Sequence, residues 1–144
     1  MNVSENSLIS PNATINEAIK SIELSETKIA LVVDDERRLL GTITDGDVRR
    51  GILRRFSLDD TVGNIMNSSP KSMSADESRE DILSAMRDNS YRHMPIVDPD
   101  GRVVSVVSLT ALLRAQEKEN WVVLMAGGLG KRLMPLTEDM PKPL

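Results

Sequence analysis

The sequence predicts an α/β fold of the α+β kind: two β-α-β-β-α repeats packed about a pseudo-twofold axis, then a short strand-and-loop stub of a further α/β domain. Three observations predict it. The chain matches itself without a gap at a shift of 64 residues. Helical and strand periodicities follow one another in the same order in both copies. At Trp121 the texture changes to an apolar run followed by a glycine-rich loop.

The self-match places KIALVVDDERRLLGTITDGDVRR on RHMPIVDPDGRVVSVVSLTALLR, with Val33-Asp34 on Val97-Asp98, Arg38 on Arg102 and Arg50 on Arg114. Upstream, Ile19 and Ile22 fall on Leu83 and Met86. Few positions are identical, but apolar and polar classes track each other through the block, which is the signature of a duplication.

Each copy opens its first helix with a capping-box pattern, Thr14-x-x-Glu17 and Ser78-x-x-Asp81, in which a hydroxyl and a carboxyl satisfy orphan helix amides. Ile15, Ala18, Ile19 and Ile22 then stand at i, i+3, i+4 and i+7, one apolar helix face. Ile82, Leu83 and Met86 do the same in the second copy. Ile29–Val33 and Met94–Val97 are short apolar runs suited to buried strands. Polar turns follow, Asp34-Asp35-Glu36-Arg37 and Asp98-Pro99-Asp100-Gly101. Leu39–Thr44 and Val103–Val107 read as the return strands, running into second helices near Asp45 and Thr110. Between the copies, Ser57-x-x-Asp60 predicts a short connecting helix carrying Leu58, Val62, Ile65 and Met66. The domain division is therefore residues 1–57, then 58–117 with the connecting helix, then 118–144 as linker and stub. Neither copy, at about 55 residues, buries both its sheet and its helices alone. Packed together they do, and they form two symmetry-related clefts, which are common ligand sites.

Composition narrows the function. Apolar residues make up 40% and charged residues 28%, a globular balance. A net charge of −4 and three aromatics, Phe56, Tyr91 and Trp121, argue against nucleic acid as a partner. With no cysteine and the single histidine His93, thiol chemistry and a Cys- or His-built metal site are excluded, and no metal ligands are assigned. The N-terminus has no basic-then-apolar leader, and the longest apolar run, Trp121–Ala126, is far below the ~20 residues of a membrane span. The expectation is a cytoplasmic protein without membrane contact.

Over residues 8–115 the element order, the strand pair around Val33-Asp34 and Gly41, and the segment Gly41-Thr-Ile-Thr-Asp-Gly-Asp47 resemble a tandem pair of CBS domains, a Bateman module. The resemblance implies an adenosine ligand (AMP, ADP, ATP or S-adenosylmethionine), regulation of an attached protein, and a homodimer formed through the pairs. Thr44-x-x-Asp47 matches the family's Thr/Ser-x-x-Asp binding signature. A helix N-terminus offers amides and a positive dipole end to phosphate, and Asp47 would accept ribose hydroxyls. The plainer reading makes Thr44 an N-cap and Asp47 a dipole partner. In the second copy Ser108 keeps the hydroxyl, but Ala111 stands where the acid belongs. Arg92 and His93 occupy positions from which family members reach phosphate, or are ordinary polar residues at a strand start. Arg49, Arg50, Arg54 and Arg55 read as a cationic patch on the helix after Asp47, either a solvated face or a phosphate contact.

The tail carries a second resemblance. A polar linker, Gln116–Asn120, precedes the strand-like Trp121–Ala126 and then Gly127-Gly-Leu-Gly-Lys-Arg-Leu-Met-Pro-Leu-Thr137 and Pro141-Lys-Pro-Leu144. Met125 and Arg132 break a Walker A loop, and Leu133 breaks the dinucleotide fingerprint. The string is similar to the opening of sugar-1-phosphate nucleotidyltransferases, G-G-x-G-x-R-L-x-P-L-T followed by P-K-P. By that resemblance Gly127, Gly128 and Gly130 would wrap the nucleotide, Arg132 would steady the triphosphate, and Lys142 would add charge at the reacting phosphates. Mg²⁺ would assist attack of the sugar phosphate on the nucleoside triphosphate. The chain reaches Leu144 where that family's catalytic domain has barely begun, so this stretch contains no catalytic residue and no cofactor of its own. It reads as the regulatory front end of an enzyme whose remaining catalytic domain is its partner. The rival expectation is an oligomerisation scaffold with vestigial clefts.

Overall fold

The computed structural model describes residues 3–114. The predicted linker Gln116–Asn120, the strand at Trp121–Ala126 and Gly127, Gly128, Gly130, Arg132 and Lys142 lie outside the described residues. The described elements are β1 (Leu8–Ile9), α1 (Ile15–Leu24), β2 (Ala30–Val33), β3 (Leu39–Ile43), α2 (Asp45–Leu53), β4 (Met73–Ser74), α3 (Arg79–Asp88), β5 (His93–Val97), β6 (Val103–Ser108) and α4 (Leu109–Leu113). They form two three-stranded sheets, β1-β2-β3 and β4-β5-β6, each with a parallel first pair and an antiparallel second pair. The mixed α/β class and the duplicated β-α-β-β-α order are thus present.

Local chemistry repeats as well. Thr14 caps α1, its Oγ1 accepting from the Glu17 amide at 3.2 Å while Glu17 accepts from the Thr14 amide at 2.7 Å. Ser78 caps α3 by accepting from the Asp81 amide at 3.1 Å. In the two hairpins Asp34 Oδ1 accepts from Glu36 and Arg38, and Asp98 Oδ1 accepts from Asp100 and Arg102. Each turn needs a left-handed residue before the return strand, Arg37 at φ 64° in one and Gly101 at φ 80° in the other.

Two backbone bonds join the hairpins of the two copies: Leu39 N–H donates to Gly101 O and Val103 N–H donates to Arg37 O, both at 3.0 Å. A shift of 64 residues converts one bond into the other, so the pseudo-twofold axis passes between Arg38 and Arg102, which face each other as an isolated bridge. Each arginine is paired with acids of its own hairpin, Arg38 with Asp34 and Glu36 and Arg102 with Asp100.

β2 is apolar throughout because both its faces are covered. Ala30 and Val32 pack with Ile15, Ala18 and Ile22 of α1, whereas Ile29, Leu31 and Val33 pack against Val103 and Val106 of β6. The second cluster is the seam between the repeats. In the second copy Met94 and Ile96 pack with Ile82 and Met86 of α3.

Two expectations are corrected. The connecting segment is not an α-helix: residues 57–60 form a turn closed by Ser57 N–H donating to Asp60 Oδ2, and only a 3-10 turn, Val62–Asn64, follows. The reason is tertiary. The Asp60 and Leu58 carbonyls accept from Ile15 and Asn16, two orphan amides at the start of α1, and are lost to any helix of their own. Leu58 stays exposed. The cationic patch is also split: α2 ends at Leu53, Arg54 caps it, and Arg55 takes φ 71° as Phe56 N–H bonds back to Gly51 O. Arg49 and Arg50 alone lie on the helix.

Candidate functional site

After the 3-10 turn the chain crosses β3, where Thr42 and Asn67 exchange two backbone bonds of 3.1 and 2.9 Å. The crossing requires glycine at position 41, since a Cβ there would meet Met66 Sδ at 2.8 Å and the Asn67 carbonyl at 2.9 Å. This close approach forms one wall of a cleft of about 630 Å³ between the repeats. The start of α2 forms a second wall and the start of β5 a third. The volume suits a ligand of nucleotide size.

The structure brings Thr44, Asp47, Arg92 and His93 together on this cleft, with Arg49 and Arg50 beside them. Thr44 and Asp47 form the capping box of α2. Asp47 Oδ2 accepts from the Thr44 amide at 2.9 Å and from its hydroxyl at 2.7 Å. Asp47 Oδ1 accepts from the Arg50 guanidinium at 2.5 Å. The Asp47 side chain is only 13% exposed, while that of Arg50 is 61% exposed. The plainer reading of Asp47, a partner for its own helix end, is therefore fulfilled in this state.

His93 is half-buried and opposes Ser108 across the β5–β6 ladder. Burial, and secondarily the Arg92 charge, hold its pKa below the ordinary imidazole value of 6.5. Ser108 does not join the cleft. Its hydroxyl caps the short α4 by accepting from the Ala111 amide at 3.1 Å.

Sequence reasoning missed Lys28, Asn67 and Lys71, which also line the cleft. Lys28 had a signal, since it falls on Arg92 in the 64-residue register, although its ammonium donates to the Glu23 carbonyl at 2.6 Å. Asn67 and Lys71 had none, for the connecting segment reaches the cleft only through the crossing at Gly41. Basic side chains outnumber the two acids, Asp45 and Asp47, on this lining. The cleft is thus suited to an anion at the positive end of the α2 dipole.

A second cleft of about 280 Å³ is lined by Val3, Ser7, Glu26 and Val106 among others. Subtracting 64 from Asn67, Lys71 and Ser90 gives Val3, Ser7 and Glu26, and adding 64 to Thr42 gives Val106, so the two clefts are pseudo-symmetric mates. Among the described residues no cluster of acids and histidine is placed to hold a metal ion, and no helix is long and apolar enough to cross a membrane.

Known proteins resemble this chain in sequence and in fold. The family model described as CBS domain matches twice, over residues 5–54 and 62–118. An uncharacterized 17.7 kDa protein of Acidianus ambivalens is 32% identical over 108 residues, covering 75% of this chain and 65% of that protein. The chain spans a smaller share, 32%, of an uncharacterized Helicobacter pylori protein. Two solved structures share the fold at a TM-score of 0.67 each. One is CBSX2 in complex with AMP, with 21% identity, covering 79% of this chain and 90% of that one. The other is PAE2072 of Pyrobaculum aerophilum complexed with AMP, with 22% identity and 81% and 93% covered. With two model matches on two duplicated units, this chain belongs to the CBS-domain family, as a tandem pair.

Proposed function

We propose that this CBS pair is a regulatory module that binds an adenosine nucleotide in the larger cleft and is not itself an enzyme. The observation that carries the reading is the convergence of Thr44, Asp47, Arg92 and His93, with Arg49, Arg50 and Lys71, on one 630 Å³ space. Cations and the α2 N-terminus suit phosphate, Asp47 suits a ribose diol, and Ile29, Tyr91 and Pro95 offer apolar surface to a base. Two proteins of the same fold have solved structures in complex with AMP. The controlled partner, on this proposal, is a sugar-1-phosphate nucleotidyltransferase that begins with the Gly127–Thr137 loop and uses Mg²⁺. It would act in the cytoplasm as a homodimer, for which the exposed Ile52, Leu53 and Leu113 offer apolar surface.

A scaffold role is the second reading, favoured by the engagement of Asp47 with Thr44 and Arg50 and by the smaller second cleft. A thermal-shift titration with AMP, ADP, ATP and S-adenosylmethionine separates the two. Ligand at 100 times its dissociation constant should stabilise the fold by about 2.7 kcal/mol. Absence of any shift on folded protein would leave the scaffold.

A further inference from the structure

Asp47 has one oxygen committed to its own helix and one held by Arg50. Oδ2 takes both Thr44 bonds, so a ribose hydroxyl must approach Oδ1, where the Arg50 guanidinium sits. Arg50 lies back over the first turn of α2: a Cβ at Gly46 would stand 3.4 Å from one of its guanidinium nitrogens. A cation over a helix N-terminus opposes the helix dipole, and only an acid partner holds it there. Its side chain is 61% exposed and lines the cleft, so it has room to turn toward another anion.

Resting on the nucleotide reading above, the geometry points to a charge exchange at Arg50 that makes the cleft select phosphate-bearing adenosine ligands. Ribose displaces Arg50 from Asp47 Oδ1. A ligand phosphate then replaces the carboxylate as the partner of Arg50. Adenosine breaks the same ion pair and returns nothing, and S-adenosylmethionine brings a sulfonium in place of a phosphate. The second repeat lacks the device, since Ala111 and Arg114 stand where Asp47 and Arg50 stand.

Calorimetric titration of the chain and of Arg50→Gln and Arg50→Lys with AMP and with adenosine tests this. The chain should bind AMP at least about tenfold more tightly than adenosine, the scale of one charge-assisted hydrogen bond. In Arg50→Gln, AMP affinity should fall about tenfold while adenosine affinity rises, closing the gap, and Arg50→Lys should reopen part of it. If Arg50→Gln leaves the ratio of the two affinities unchanged, the exchange is overturned and nucleotide binding stands. If neither ligand binds the unaltered chain, both are overturned.

Discussion

The two clefts are built on one plan and differ in chemistry. Ile29, Leu31 and Val106 belong to one dry seam, of which Val106 lines the smaller cleft and Ile29 borders the larger. Their register mates His93, Pro95 and Thr42 all line the larger cleft. Val3 is matched by Asn67 and Ser7 by Lys71. The backbone that carries these residues follows the same register, turns and bulges in both copies. Duplication preserved the scaffold, and a handful of side chains turned one copy of the seam toward packing and the other toward an anion.

If the dry seam is the common core, it should be the most sensitive place in the molecule. Leu31 is fully buried between β2 and β6. Leu31→Ala should lower stability by about 2–5 kcal/mol, the usual range for a buried leucine truncated to alanine. Denaturant unfolding followed by far-ultraviolet dichroism should still show one transition, because the seam belongs to both repeats. Two separated transitions would mean that the repeats fold independently.

The next comparison exchanges the acid. Asp47→Ala should remove most of the nucleotide-induced thermal shift, and should also cost about 0.5–2 kcal/mol of stability from the lost capping box. Ala111→Asp puts the acid at the equivalent position. It should leave the stoichiometry at one nucleotide per chain, because among the described residues the smaller cleft presents Glu26 and no basic side chain. Two sites by calorimetry in that variant would show that the acid alone decides.

The repeat, both hairpins and both first helices were legible because their signals are local: periodicity, capping residues and turn acids. The connecting segment was not, because Asp60 and Leu58 give their carbonyls to α1, a contact that no local pattern announces. Thr44, Asp47, Arg92 and His93 were singled out through the resemblance to CBS pairs, and they line the larger cleft. Their neighbour Lys71 was not, since its arrival depends on the passage over Gly41. Nor does spacing reveal that Asp47 is shared between Thr44 and Arg50. That is a matter of rotamers.

His93 offers a pH readout of the wet cleft that the dry seam, with Ile29 at the same position, cannot give. Its folded pKa lies below the unfolded value of 6.5. Between the two values the unfolded chain binds more protons, so stability rises with pH there. The contribution is therefore complete above about pH 6.5 and declines as pH falls through the folded value. Melting temperature should fall more steeply below that pH for the unaltered chain than for His93→Gln. Parallel profiles would show that His93 charges without hindrance.

The smallest effect compares the two hairpins. Arg37 and Gly101 hold the same left-handed position at φ 64° and 80°. For a side chain that conformation costs roughly 1–2 kcal/mol, which glycine avoids. Two terms work against the gain in Arg37→Gly. Glycine adds freedom to the unfolded chain, and the Arg37–Glu5 ion pair is lost, although with side chains 48% and 84% exposed it is worth little. The net should be a stabilisation of at most about 1 kcal/mol, read as a small rise in denaturation midpoint with an unchanged slope. Gly101→Arg should move the other way by a similar amount. A loss of stability in Arg37→Gly would mean that the first hairpin, nearest the axis bonds to Gly101 and Val103, depends on the arginine side chain more than on its backbone strain.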